Sequence, residues 1–122
     1  MEILIILTWL QIKHWIVDFV LQTEAQVKGK AIYGNPIGIS HSLEQAIGTL
    51  IALLIASFYV SDLYVVWIII AAMVDGVVHY HIDWAKMNWG NRDITTKAFW
   101  SHLGLDQMAH QFCYLFLILI LL

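Results

Sequence analysis

The chain alternates between four long apolar segments and polar stretches of unequal length. The apolar segments cover residues 3–21, 40–59, 63–83 and 105–122. Because a helix needs about 20 mainly apolar residues to cross a bilayer, each segment predicts one transmembrane helix. Polar residues 22–39 and 84–104 separate the outer pairs, and a short turn around Asp62 joins the middle pair. The pattern predicts an all-α fold, a polytopic membrane protein whose four helices form an up-down bundle in a single domain, residues 1–122.

Composition favours the same class of protein. The 122 residues are 61% hydrophobic and 12% charged, whereas soluble domains are about 45–50% apolar and roughly 25% charged. The net charge of −3, without a basic patch that carries aromatic residues, gives no indication of nucleic acid as a partner. Cys113 is the single cysteine, which excludes an internal disulfide and a zinc site of several thiolates.

The distribution of positive charge predicts the orientation. Lys28 and Lys30 lie in residues 22–39, and further basic residues lie in 84–104, whereas both termini and the middle turn have none. Cytoplasmic loops carry the excess of Lys and Arg. We therefore expect a multi-pass protein of the bacterial inner (cytoplasmic) membrane, with both of these loops cytoplasmic and both termini outside. The first segment lacks a positive n-region and a small-residue cleavage site, so we expect a retained helix rather than a signal peptide.

Ionisable side chains recur inside the apolar segments at a fixed spacing. Three segments carry a histidine and an aspartate four residues apart, and the remaining segment opens with a lone histidine: His14/Asp18, His79/Asp83, Asp106/His110 and His41. Residues at this spacing share one helical face, about 5–6 Å apart. In an up-down bundle these positions belong to the same end of all four helices. The spacing predicts one polar layer near the cytoplasmic interface.

The residue types in this layer indicate metal binding. Ionisable groups inside spanning segments are costly, and they normally face the bundle interior and pair or bind an ion. Four imidazoles and three carboxylates form a nitrogen and oxygen donor set suited to a divalent metal, with zinc favoured over iron or manganese. Seven donors exceed one tetrahedral zinc, so one ion or two ions are both open. We expect Asp75, Glu44 and Gln45 to support the ligands, with Asp75 accepting from the far ring nitrogen of His79.

Simpler interpretations exist for single residues. Any one His–Asp pair alone is more typical of hydrogen-bonded helix packing than of a metal site. The presence of three pairs and His41 in one layer favours the metal hypothesis. His81 and His102 fall off the stripes and are expected at the membrane interface. Asp62 is expected to cap the third helix.

The same residues, in this order, resemble a family of small phage and bacterial integral membrane proteins that is classed only as a domain of unknown function. The resemblance lies in HWIVDFVLQTE, HSLEQ, HYHID and LDQMAH, and it covers nearly the whole chain. It points to nine positions: His14, Asp18, Gln22, His41, His79, Asp83, Asp106, Gln107 and His110. Glu44 and Gln45 stand where the family often has a second histidine, so the second helix supplies either one ligand or two.

The pattern is also loosely similar to proteins assigned as membrane-bound metal-dependent hydrolases. The leading hypothesis is therefore a hydrolase of a lipid or a lipid-linked ester or phosphate. Asp83 or Asp106, where it is not a ligand, would be the general base, and Gln22 or Gln107 would orient the substrate.

Two other functions stay open. The first is a non-enzymatic phage-type membrane protein that binds a host membrane partner, in which the polar layer is structural. The second is ion or proton conduction, which is disfavoured because few polar residues continue the layer toward the outer side. The expected partners are membrane lipid and a lipid-like substrate, with a second copy of the chain or a host membrane protein as alternatives.

Overall fold

A computed structural model describes residues 1–122, and every regular element in it is helical. The elements are α1 (Glu2–Trp15), a π-helical continuation of α1 (Ile16–Leu21), α2 (Glu24–Gly29), α3 (Pro36–Ala56), α4 (Val65–Trp89) and α5 (Lys97–Leu121). Four helices are long and apolar enough to cross a membrane: Glu2–Leu21, α3, α4 and α5. The predicted all-α bundle of four transmembrane helices is confirmed.

The first long helix matches its predicted bounds to within one residue, whereas α3, α4 and α5 each begin or end several residues away from theirs. Helix α3 begins at Pro36 rather than at residue 40, because the Asn35 side chain accepts hydrogen bonds from two backbone amides of the first turn. Helix α5 begins at Lys97 rather than at residue 105, with Thr96 as its cap. The first turn of α3 contains a proline and a glycine, and the first two turns of α5 contain Lys97, Ser101 and His102, so neither stretch registered as part of an apolar segment. The expectation that Asp62 caps the third helix is wrong, since α4 begins at Val65 without a side-chain cap.

The turn before α5 is held by local hydrogen bonds. The Asp93 carboxylate accepts from the hydroxyl and the backbone amide of Thr95, at 2.7 and 3.0 Å. Because both bonds favour the ionised form, the pKa of Asp93 lies below its usual value. This turn fixes the point at which the chain enters α5.

The first helix widens where it carries Asp18. Residues Ile16–Leu21 form a π-helical turn, a feature that is frequent at functional sites. At Gln22 the backbone becomes extended, and the short helix α2 follows behind a capping box made by Thr23 and Gln26. The sequence did not predict either the π-helical turn or α2.

Helix α2 packs against the start of α3 through two glycines. A Cβ atom on Gly38 would lie 2.8 Å from the carbonyl oxygen of Gly29, which is closer than a side chain tolerates. The two backbones can therefore meet only because both positions lack side chains. This contact holds Lys30, the residue that follows α2, against the bundle, where it is buried.

The bundle interior has an apolar half and a polar half. The apolar half is filled by residues such as Ile6, Leu10, Leu53, Ile68 and Leu117, all fully buried. The polar half contains the buried charged and polar side chains of all four long helices. The outer surface exposes many large apolar side chains, as expected where lipid replaces water as the solvent.

On α4 and α5 the polar layer lies well inside the helices rather than at their ends. From Asp83 to the last residue of α4, Trp89, the helix rises about 9 Å, and from Lys97 to Asp106 in α5 it rises about 13 Å. The predicted third helix ended at residue 83 and the predicted fourth began at residue 105, which would have put these side chains at the helix ends. In the structure they lie farther from the ends of α4 and α5.

Candidate metal centre

The seven predicted ligands lie together in the polar half of the bundle. Each of them is at most 8% exposed. Two come from the first helix and its π-helical turn, one from α3, two from α4 and two from α5: His14, Asp18, His41, His79, Asp83, Asp106 and His110. The structure thus brings residues from all four long helices into one buried cluster, which we call the His/Asp layer.

The carboxylate of Asp18 contacts side chains of two other helices, α3 and α4. Its Oδ1 lies 3.0 Å from His41 Nε2 and 3.3 Å from His79 Nε2. The amide of Gln45 donates to the same oxygen at 2.5 Å. One carboxylate oxygen from the first helix therefore faces groups from both α3 and α4.

Asp83 lies between two groups of histidines. Its Oδ2 is 3.1 Å from His79 Nε2 and 3.6 Å from His41 Nε2, whereas its Oδ1 is 3.7 Å from His110 Nε2. The rings of His79 and His110 are themselves stacked, with centroids 4.1 Å apart. The two oxygens of Asp83 thus face different sides of the layer, as the oxygens of a bridging carboxylate would.

Asp106 completes the layer on α5. Its Oδ1 lies 3.5 Å from His110 Nε2, while its Oδ2 accepts from Lys86 at 2.8 Å and from the Gln107 amide at 3.1 Å. One oxygen therefore faces the histidine, and the other is held by two donors.

Three groups of side chains place donor atoms within 4.8 Å of one another: His14/His79/His110, Asp18/His41/His79 and Asp83/Asp106/His110. The second and third groups share no residue. The layer can thus be divided into two separate sites of three ligands each. Asp83 belongs to the third group and also lies 3.1 Å from His79 of the second.

Unpartnered buried atoms test whether a metal fits the layer. Nδ1 of His79 and Nδ1 of His41 are buried without a hydrogen bond, and Nε2 of His79 and Nε2 of His110 face only carboxylate oxygens, at 3.1–3.7 Å. A buried polar group without a partner costs about 1–3 kcal/mol. Imidazole nitrogens and carboxylate oxygens are the donors that zinc takes in proteins. The donor set and its unpartnered atoms fit a divalent metal.

His14 lies in the layer with both ring nitrogens engaged. Its Nε2 is 2.9 Å from Gln107 Oε1, and its Nδ1 is 2.9 Å from the hydroxyl of Tyr114. These contacts fit a neutral ring that carries its proton on Nε2. His14 is thus positioned by α5, and Gln107 contacts His14 and Asp106.

The contact predicted between Asp75 and His79 is wrong. Asp75 Oδ2 instead forms an ion pair with Lys13 at 2.6 Å and accepts from Thr49 at 2.5 Å, and its Oδ1 lies 3.8 Å from the Cys113 sulfur. An ammonium group is a stronger partner for a carboxylate than a neutral ring. The rotation that brings Lys13 toward Asp75 depends on helix packing, which the sequence pattern does not specify.

The two residues of α3 that were expected to support the layer both contact it. Gln45 accepts from Lys13 at 2.7 Å and donates to Asp18, so it links the Lys13–Asp75 pair to the layer. Glu44 accepts from Gln26 at 2.9 Å and lies 3.8 Å from His41 Nδ1.

Sequence reasoning missed the residues that hold the carboxylates from the loop side. Lys30 Nζ is 2.7 Å from Asp83 Oδ2 and also donates to Gln22, while Lys86 pairs with Asp106. Lys86 could have been found as the residue three positions after Asp83 on α4. Lys30 could not, since its position depends on α2.

Tyr114 was missed as well. It is fully buried and continues the α5 stripe four residues beyond His110, a spacing that would have identified it.

Comparisons with known proteins identify a family without an established activity. No curated protein and no solved structure matches the chain. A family model described as "Protein of unknown function (DUF3307)" matches residues 6–122, which include the whole His/Asp layer. The chain belongs to the DUF3307 family.

Proposed function

We propose that the protein is a metal-dependent membrane hydrolase whose reaction centre is the His/Asp layer. The substrate is a lipid or a lipid-linked ester or phosphate. The observation that carries the proposal is the pair of buried three-ligand groups without a shared residue, which leave several donor atoms unpartnered. Strongly interacting ionisable groups concentrated in one buried place are typical of catalytic sites.

Two ions account for the donor set. Asp18, His41 and His79 would hold one, Asp106 and His110 would hold the other, and Asp83 faces both. Zinc suits this donor set best, with iron and manganese as alternatives. A bound divalent metal polarises the scissile group and lowers the pKa of a bound water toward ~7.

The remaining polar side chains have separate roles in this proposal. A carboxylate oxygen of Asp83 or Asp106 that does not bind metal accepts the proton from water. Gln107 positions His14 and Asp106, which it already contacts. Gln22 lies on the loop side beside Lys30, where it can contact substrate.

The distribution of charge supports placing the loop side of the layer in the cytoplasm of a bacterium, with both termini outside. Lys28 and Arg92 are exposed at that end of the bundle. A substrate that lies in the inner leaflet of the membrane would then reach the layer from the same side.

The same observations weigh against the two alternative functions. In a purely structural layer the buried polar groups are expected to be hydrogen bonded, whereas Nδ1 of His79 and Nδ1 of His41 are buried without a hydrogen-bond partner. A conduction path needs polar groups along the whole bundle. The half beyond Asp75 is filled by fully buried apolar side chains such as Ile6 and Leu53.

Metal content tests the proposal directly. Protein purified in detergent without chelator should contain one to two equivalents of zinc, iron or manganese by elemental analysis. His79→Gln should lose at least one equivalent, whereas His81→Gln, which changes an exposed histidine on the same helix, should lose none. Metal-loaded protein should hydrolyse short-chain lipid esters or phosphates, and a chelator should abolish the activity. Protein without stoichiometric metal overturns the proposal.

A further inference from the structure

A cavity opens over the His/Asp layer on the side of the loops. Its volume is about 360 Å³. Asp83 forms part of its floor, and Phe99 and Leu103 of α5 form part of its wall. It is therefore an opening through which a ligand of modest size can reach a carboxylate of the layer.

Four cationic side chains line this cavity against one carboxylate: Lys28, Lys30, Lys86 and Arg92, with Asp83. Lys30 is held by Asp83 and Gln22, and Lys86 is held by Asp106. Arg92 makes no ion pair, and its guanidinium offers five donors. An ammonium group has three donors, so both lysines keep donors for a ligand in the cavity. Lys28, Lys30 and Lys86 each pair with a carboxylate, so the unpaired positive charge is that of Arg92, and it favours an anion in the cavity.

A second, mainly apolar cavity lies between α4 and α5 and shares Lys86 with the first. Its volume is about 290 Å³, and Ile82, Ala85, Leu105 and Asp106 are among its lining residues. Both helices expose apolar side chains to the bilayer beside it, as Leu105 does. A chain that lies in this groove would thus connect the lipid phase to the cationic cavity at Lys86.

We infer that the two cavities together bind a lipid phosphate monoester, with the phosphoryl group among Lys30, Lys86 and Arg92 and the alkyl chain along the α4–α5 groove. This inference rests on the proposed function and names its substrate class. A phosphoryl group carries the charge and the acceptor oxygens that several cationic donors recognise. A carboxylic ester is neutral and would leave the charge of Arg92 without a partner.

The corresponding reaction is balanced with water as the second reactant. One water oxygen bonds to phosphorus, and the bond between phosphorus and the alkyl oxygen breaks. The products are inorganic phosphate and a lipid alcohol, which takes up a proton as it leaves. The anionic product stays in the cationic cavity, and the alcohol returns to the bilayer.

Phosphonates test binding separately from turnover, because their carbon–phosphorus bond is not hydrolysed. The intact protein in nanodiscs of zwitterionic lipid is titrated calorimetrically with octylphosphonate, methylphosphonate and octanol, and empty nanodiscs serve as the blank. Octylphosphonate should bind at one site per chain, at least tenfold more tightly than methylphosphonate, which lacks the chain. Octanol, which lacks the anion, should give no saturable binding.

Matched variants assign the site. Arg92→Gln should weaken octylphosphonate binding about tenfold, as the loss of a charge-assisted hydrogen bond would. Lys97→Gln removes the same charge from an exposed residue outside both cavities and should have little effect. Ala85→Leu should fill the α4–α5 groove and weaken binding of octylphosphonate but not of methylphosphonate. Ala98→Leu, outside the groove, is its control.

Each contrary result has a definite meaning. Equal affinity for methylphosphonate and octylphosphonate would make free phosphate the ligand and overturn the lipid assignment. Equal effects of Arg92→Gln and Lys97→Gln would overturn the cationic cavity as the site. Protein that contains metal but does not bind octylphosphonate would overturn this inference and leave the hydrolase proposal intact. If the protein binds octylphosphonate but contains no metal, the lipid-phosphate binding site is supported and the proposed metal-dependent hydrolase activity is overturned.

Discussion

Lys13 and Asp75 form an ion pair of 2.6 Å in the interior of the bundle, with both side chains no more than 5% exposed. Gln45 accepts from Lys13 and donates to Asp18, so the pair is connected to the His/Asp layer. Two charges buried among apolar helices are tolerated only because each neutralises the other. The pair therefore constrains the rotation of α1 relative to α4.

Lys13→Met should lower the free energy of unfolding by about 3–5 kcal/mol, because it leaves the Asp75 charge buried without its partner. The double variant Lys13→Met with Asp75→Leu should recover much of this loss, since it removes both charges. Thermal unfolding in detergent measures the effect. Lys28→Met is the control, because Lys28 and Glu24 form an exposed ion pair whose loss should cost about 0–1 kcal/mol. A single variant as stable as the wild type would show that the pair does not stabilise the bundle.

The two groups of ligands predict that metal is lost in steps. Asp18→Asn should remove one equivalent of metal and retain the other, because Asp18 belongs to only one of the two groups that share no residue. Asp83→Asn should reduce the occupancy of both sites, since its oxygens face both His79 and His110. Elemental analysis of the purified variants measures the stoichiometry. If Asp18→Asn and Asp83→Asn lose the same amount, Asp83 does not bridge two sites.

Removal of metal should destabilise the protein. A ligand that binds only the folded state stabilises it by about 4 kcal/mol at a free concentration 1,000 times its dissociation constant. A chelator should therefore lower the Tm of the wild type, and added zinc should restore it. The Tm of His79→Gln should respond much less, because that residue contributes to two of the ligand groups. A Tm that is insensitive to chelator and zinc in the wild type would contradict metal binding in the folded bundle.

The contact between Tyr114 and His14 should contribute to stability. Tyr114→Phe leaves Nδ1 of His14 buried without a donor and should cost about 1–3 kcal/mol. Tyr64→Phe, at an exposed residue, is the matched control and should change stability little. Chemical unfolding of both variants provides the comparison. Equal stability of the two variants would mean that the hydroxyl of Tyr114 is dispensable.

The parts of the structure that follow from spacing along one helix were predictable from the sequence. The pair His79 and Asp83 lies on one face because a helix repeats every 3.6 residues, and such pairs identified the residues that converge. The partner of Asp75 depends on how two helices rotate against each other, which no spacing within one helix determines. The position of Lys30 depends on α2, a helix of six residues that is too short to show periodicity.

Substitution by alanine should have opposite effects on stability at Gly38, where α2 and α3 approach closely, and at Gly104 in α5, where there is open space. Gly38→Ala places a Cβ atom 2.8 Å from the backbone oxygen of Gly29, so it should lower the free energy of unfolding by about 1–3 kcal/mol. Because this contact holds Lys30 against Asp83, Gly38→Ala should also weaken octylphosphonate binding. Gly104→Ala meets no atom within 4 Å and lies in α5, so it should stabilise the protein by about 0.5–1 kcal/mol. Chemical unfolding in detergent measures both, and a Gly38→Ala variant as stable as Gly104→Ala would show that the two backbones do not meet at Gly29.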